Sequence, residues 1–244
     1  MLDTHDKITG IMPYFLGFST YTFFVVLGIE AGVAYYWLNL RKIKDREKGA
    51  MILVAAALVF GIIGSKIPIL MESRSFHAFL AGKSIVGGLV GGLLGVLLAR
   101  KAFGVKQYLG HIITPSIALG IAIGRFGCFF GGCCYGAVAS WGYDFGDGLM
   151  RLPTQLFESA FHFTAFAVLI YCQDKVKAPG LLFKMYFLAY FVFRFFSEFV
   201  RDNPAIWCGM TVYQIICGLG IVYFSIDLWI KNRAEIFGFE RKGE

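Results

Sequence analysis

A chain of 244 residues in which 57% are hydrophobic and 16% charged, with a mean hydropathy of +0.66, has too few polar side chains to clothe a soluble fold of its size. The formal net charge of +7 and pI of 9.1 do not point to nucleic acid, because the basic residues fall in the connections between apolar runs, where anionic lipid headgroups are the natural partners. The expected fold class is an all-α integral membrane protein.

Apolar runs long enough for a bilayer, which takes about 20 helical residues, recur at 13–38, 50–70, 79–99, 109–130, 156–172, 181–199 and 209–230. They predict about seven transmembrane helices. The first run follows an acidic start (Asp3, Asp6), is too long for a signal-peptide core and lacks a small-residue cleavage site, so it is expected to stay attached. No repeat or linker interrupts the runs, which implies a single polytopic domain over 1–244. Arg41, Lys42, Lys44, Arg46 and Lys48 fill one connection, Arg100, Lys101 and Lys106 another, Lys175 and Lys177 a third, and Lys231, Arg233, Arg241 and Lys242 the tail. These segments alternate with poorer ones, which places the N-terminus outside and the C-terminus in the cytoplasm.

In the third run, "GGLVGGLLG" sets Gly87, Gly91 and Gly95 on one helix face with Gly88 and Gly92 beside them, a spacing that lets helices approach closely. The charged residues within or at the edge of the runs are Glu30, Lys66, Lys83, Arg125, Arg194, Glu198 and Arg201. An ion in hydrocarbon costs a few kcal/mol or more unless paired or wet, so each calls for a partner. In "RFFSEFVR", a continuous helix would show Arg194, Glu198 and Arg201 on one face. One reading is a structural ion pair with an interfacial anchor; the other is that Arg125 and Arg194 bind a phosphate, with Glu198 orienting an arginine.

The fourth run ends in "GRFGCFFGGCCYG", residues 124–136, which gathers glycines, Arg125 and three cysteines at the outer face. Cys172 and Cys217 lie in apolar runs and read as small hydrophobes. Cys128, Cys133, Cys134 and Cys208 fall near the outer face, where a disulfide from Cys133 or Cys134 to Cys128 or Cys208 is expected to be more reasonable than a vicinal bridge. A thiolate beside Arg125 is the reactive alternative. The spacing lacks a CxxC pair and a supporting histidine, so no metal site is expected. His77, His111 and His162 are read as non-catalytic, with His77 the better-placed base. "WGYDFGDG", residues 141–148, reads as an outer loop forming either an aromatic belt or a lid.

The segments "IALGIAIGRFGCFFGGCCYG" (117–136), "RLPTQLFE" (151–158), "FRFFSEFVRDNP" (193–204) and "MTVYQ" (210–214) together resemble signature stretches of the prolipoprotein diacylglyceryl transferases, in matching order. These bacterial inner-membrane enzymes move diacylglycerol from phosphatidylglycerol to a cysteine thiol. The resemblance implies Arg125, Arg194, Glu198 and Tyr21 as catalytic residues. It implies Lys83, Gly127, Cys128, Cys133, Cys134, Tyr135, Gln155, Glu158, Arg201 and Gln214 as substrate-binding, with no cofactor. Phosphatidylglycerol or another anionic phospholipid and a lipobox-bearing prolipoprotein are the implied partners. Val86 stands where the family places a histidine, Cys128 replaces its asparagine and Cys133 its acidic residue, which implies a diverged paralogue. A transferase with another acceptor, a non-catalytic phospholipid-binding or transport protein, and a thiol-redox membrane protein all stay open at this point. The charge pattern makes a direct prediction: a reporter fused after Glu244 reports the cytoplasm and one inserted within 141–148 reports the outside, and the reverse pattern would overturn the assigned orientation.

Overall fold

The computed structural model describes residues 11–12, 14–15, 18–40, 49–73, 84–105, 110–176 and 178–236. Seven α-helices run through these residues: α1 (Thr20–Leu40), α2 (Gly49–Ser73), α3 (Ile85–Phe103), α4 (Gly110–Phe130), α5 (Thr154–Cys172), α6 (Leu181–Ser197) and α7 (Val212–Ile236). Three antiparallel two-stranded ribbons join them: β1 (Tyr14–Phe15) with β2 (Phe18–Ser19), β3 (Val138–Asp144) with β4 (Met150–Arg151), and β5 (Ala205–Trp207) with β6 (Met210–Thr211). Six helices, all but α6, are long and apolar enough to cross a membrane. The protein is therefore a multi-pass, mainly helical membrane protein. The run expected at 181–199 is helical but shorter, because α6 stops at Ser197 and a 3-10 turn, Glu198–Val200, takes over.

The chain divides into two compact units. The first contains α1, α4, α5, the start of α6, the β3–β4 hairpin and residues 199–202. Its α4 packs on both α1 and α5. The α1–α4 seam is close because small residues line it: a Cβ on Gly32 would come within 2.8 Å of the Ser116 carbonyl oxygen, and one on Gly127 within 2.8 Å of the Tyr21 carbonyl oxygen. The 141–148 segment is a hairpin and not an open loop. Asp144 Oδ1 accepts the Gly146 and Gly148 N–H groups at 2.8 and 3.0 Å, the self-bonding that makes aspartate a turn residue. Phe145 is fully buried against Phe129 and Tyr135, while Trp141 and Tyr143 are exposed.

The second unit contains α2, α3, the remainder of α6, and the chain from Asn203 onward. Its principal seam is α2 against α3. Pro68 has no N–H to donate to the Gly64 carbonyl one turn back, and this carbonyl lies against Gly87. A Cβ on Gly91 would fall 2.8 Å from the Gly64 Cα, and one on Gly95 2.6 Å from the Ala56 carbonyl oxygen. The glycine face expected in the third run is thus a backbone-to-backbone contact, and its outer flank (Leu94, Leu97, Leu98) is exposed. Helix α3 is delimited as its sequence dictates: Ser84 caps its start by accepting the Gly87 N–H at 3.2 Å, and Gly104 ends it at φ 63° with Arg100 and Lys101 in the last turn.

A side chain larger than alanine at Gly91 has to push α2 and α3 apart, an overpacking that costs about 1–3 kcal/mol. Gly91→Val is expected to lower the thermal midpoint of the detergent-solubilised protein by several degrees, whereas Leu97→Val on the exposed flank leaves it within a degree or two. Equal midpoints for the two variants would show that the seam does not set stability.

Candidate active site

In the first unit, the candidate site is built where α4 ends. Arg125, one turn and a half before the end of α4, is 5% exposed and forms an ion pair with Glu158 on α5, which is fully buried. Arg201, just past the 3-10 turn, reaches the same carboxylate oxygen at 2.9 Å with one guanidinium nitrogen and donates to the Cys134 carbonyl at 3.2 Å with another. Two guanidiniums therefore share one carboxylate. Guanidinium stays charged at any accessible pH and donates in a planar fork, so the cluster is held together by charge-assisted bonds.

After Phe130 the chain reverses sharply. The Gly131 N–H bonds the Gly127 carbonyl and the Cys133 N–H bonds the Cys128 carbonyl at 2.9 and 3.0 Å, closing the helix end. Gly132 and Cys134 both take positive φ, 68° and 63°. For cysteine this left-handed conformation is a strained one. It is maintained from α5: Thr154 Oγ1 donates to the Cys134 carbonyl at 3.0 Å and Gln155 Nε2 to the Cys133 carbonyl at 2.8 Å. The sulfurs of Cys128, Cys133 and Cys134 lie within 4.8 Å of one another, and an Arg125 guanidinium nitrogen stands 3.6 Å from Cys128 Sγ.

Hydrogen bonds from the Cys128 and Cys133 thiols, with the positive charges of Arg125 and Arg201 behind them, hold the Cys134 thiol well below the ordinary thiol range, against burial acting the other way. The same bonds, with burial added, push Cys133 up. All six cysteines are free thiols, so the bridge expected from Cys133 or Cys134 to another outer cysteine is absent; the sulfurs of Cys128, Cys133 and Cys134 cluster without one.

Tyr21, Tyr135 and His162, also named from the sequence, belong to the same unit. The half-buried Tyr21 lies on α1, its backbone against Gly127 and Gly131. Tyr135 stacks on Phe145 at 5.3 Å, with the Arg151 guanidinium 4.6 Å from its ring centre. His162 is fully buried, its Nδ1 3.0 Å from the Tyr186 hydroxyl. His111 is exposed near the start of α4. Lys83 and His77 lie outside the described residues.

In the second unit, Arg194 pairs with Glu198 at 2.7 Å and sits 5.0 Å from the centre of the Tyr213 ring. Glu198 Oε1 accepts from Asn203 Nδ2 at 2.6 Å and Thr211 Oγ1 at 3.0 Å. A carboxylate so occupied orients its arginine. Gln214 closes a capping box with Thr211: its Oε1 accepts the Thr211 N–H at 3.0 Å and its own N–H donates to Thr211 Oγ1 at 3.2 Å. Tyr213 in turn donates to Glu72 at 3.1 Å. Val86 is buried at the start of α3.

Arg194, Glu198 and Arg201 do not share a helix face, because the turn at Glu198–Val200 tightens to about three residues per turn. Arg194 keeps Glu198, and Arg201 goes to Glu158. Sequence reasoning also missed Thr154, Asn203 and Glu72; the polar run "RDNP" and the acid closing the second apolar run were the available signals.

These features define a helical membrane protein whose apolar segments enclose arginine–carboxylate clusters. The chain belongs to the prolipoprotein diacylglyceryl transferase family, whose model matches residues 11–230. It is 30% identical over 257 residues to the phosphatidylglycerol–prolipoprotein diacylglyceryl transferase 2 of Clostridium perfringens, covering 98% of this chain and 97% of that protein. The corresponding enzyme of Dehalococcoides mccartyi is 28% identical over 231 residues (87% of this chain, 88% of that one). The Bordetella parapertussis enzyme is 36% identical over 172 residues (62% and 64%).

Removing the shared carboxylate leaves two buried guanidiniums facing each other. Breaking a buried pair in this way costs about 3–5 kcal/mol. Glu158→Gln is accordingly expected to lower the thermal midpoint of the purified protein markedly more than Glu30→Gln, at an exposed position on α1. Similar midpoints in the two variants would show that the cluster contributes nothing to folding.

Proposed function

We propose that this chain is a single-domain, multi-pass enzyme of the bacterial plasma membrane that transfers the diacylglyceryl group of phosphatidylglycerol to a cysteine thiol of a prolipoprotein. The observation that carries this reading is the Arg125–Glu158–Arg201 cluster, two guanidiniums on one carboxylate inside a chain of this family. Such a cluster suits a phosphate diester that must be drawn out of the headgroup layer and must leave with more negative charge than it arrived with.

The acceptor sulfur attacks the glyceryl carbon esterified to phosphate, a C–S bond forms, the C–O bond breaks, and glycerol phosphate departs with the bonding electrons. Arg125 stabilises the charge that develops on that phosphate, as a donor placed in a water-poor site does. Glu158 and Arg201 hold Arg125 in position. Arg194, oriented by Glu198, is proposed as a second arginine needed for activity; Tyr21, Gly127, Tyr135 and Gln155 are proposed to shape the substrate site around Arg125, and Gln214 to contact substrate within its own unit. With valine at 86 that position offers no base, so the acceptor's proton leaves by another group or the acceptor arrives as thiolate.

The test is transfer of labelled diacylglycerol from phosphatidylglycerol vesicles to a lipobox peptide by the purified protein. Arg125→Ala and Arg194→Ala are each expected to lower kcat/KM by about 10- to 150-fold, the equivalent of ~1.5–3 kcal/mol for a charge-assisted bond, while the protein stays in the membrane fraction. Wild-type protein that binds phosphatidylglycerol yet transfers nothing would replace this reading with a lipid-binding role. Full turnover in both variants would reduce the arginines to structural anchors.

A further inference from the structure

We propose that Cys128, Cys133 and Cys134 form a three-thiolate binding site for a soft monovalent metal ion, Cu(I). The proposal stands on the sulfur geometry and not on the transfer reaction. Metal–thiolate bonds of about 2.3 Å put three sulfurs in a trigonal plane about 4 Å apart, and these three already lie within 4.8 Å of one another. Closing on an ion therefore takes rotamer adjustments and no rearrangement of the backbone.

The backbone is fixed in advance. Five hydrogen bonds hold the loop: Cys133 N–H to the Cys128 carbonyl, Gly131 N–H to the Gly127 carbonyl, Gln155 to the Cys133 carbonyl, and Thr154 and Arg201 to the Cys134 carbonyl. Cys134 is held at a positive φ of 63°. An energetically unfavourable conformation kept in place by so many bonds is the kind of strain that accumulates at functional positions. Cys128 is buried and Cys133 half-buried, while Cys134 is exposed as a residue with its sulfur turned into the cluster, which gives the three sulfurs shelter at the edge of the fold.

The donor set selects the ion. Thiolates favour Cu(I) and Zn(II), but zinc completes a tetrahedron with a fourth ligand, and among the described residues no histidine, aspartate or glutamate joins the three sulfurs. The neighbouring carboxylate, Glu158, is engaged by Arg125 and Arg201. Cu(I) is content with three sulfurs in a plane. Binding exchanges the thiol protons for the ion and releases them to solvent, and the resulting anionic complex sits beside the Arg125 guanidinium, 3.6 Å from Cys128 Sγ.

The experiment is a competition titration of the full-length, reduced, detergent-solubilised protein with Cu(I) buffered by bicinchoninate, followed by X-ray absorption at the copper edge. One Cu(I) per chain is expected, with a first shell of sulfur alone. Cys128→Ser, Cys133→Ser and Cys134→Ser are each expected to weaken binding by more than roughly 100-fold, beyond the 10- to 100-fold typical of outer-shell losses, while Cys172→Ser, outside the cluster, leaves it unchanged. The spectrum is taken on the wild-type protein and does not depend on any variant folding. Binding that survives in the triple serine variant, a first shell containing nitrogen or oxygen, or a preference for Zn(II) over Cu(I) under the same competition would each overturn the proposal.

Discussion

The Glu158 carboxylate is the constraint on which the first unit is organised. It draws in Arg125 from α4 and Arg201 from the segment after α6, so three stretches far apart in sequence are tied to one carboxylate oxygen. In an apolar interior none of the three charges is tolerable alone, and the attraction is strong where water is scarce. Position follows from this necessity. Arg201 also holds the Cys134 carbonyl, so the same ion cluster that neutralises charge sets the path of the cysteine loop.

That loop shows how polar chemistry is admitted at the end of a membrane helix. The terminal carbonyls of α4 would be acceptors without donors unless the chain supplied them; the reversal through Gly131 and Cys133 satisfies those of Gly127 and Cys128, and Gln155 and Thr154 at the start of α5 satisfy those of Cys133 and Cys134 further along the loop. The residues of "PTQLFE" thus act on the cysteines from a neighbouring helix. In the second unit Glu198 plays a parallel part, engaging Arg194, Asn203 and Thr211 at once.

Much of this was legible in the sequence because hydrocarbon is an unforgiving solvent. Apolar length marks each helix, and the glycine spacing of the third run marks its packing face, seen here as the α2–α3 seam. Arg125 stands out as a charge for which water offers no alternative, whereas Glu158 is singled out only by the family resemblance. What the sequence could not convey is where helical periodicity fails. The turn at Glu198–Val200 redirects Arg201 to a carboxylate 43 residues away in the chain, and the reversal after Phe130 brings Cys128 to Cys133 and Cys134 although their spacing matches no familiar metal or redox pattern. Both depend on tight backbone turns, which leave only faint traces in residue type.

The α2–α3 seam has a consequence for how this protein changes over generations. Because its two helices meet through backbone atoms alone at Gly64 and Gly91, no side chain on the opposite helix could shrink at these two positions to make room for a larger neighbour. Paired substitution, the usual route by which packed interfaces drift, is closed there. The outward flanks carry no such restriction: Ile62, Ile63, Leu94 and Leu97 are exposed to whatever surrounds the helices and need only remain apolar. Change in this pair of helices is accordingly tolerated on one side more than the other, so a larger residue costs most at the glycines and least on the exposed flanks.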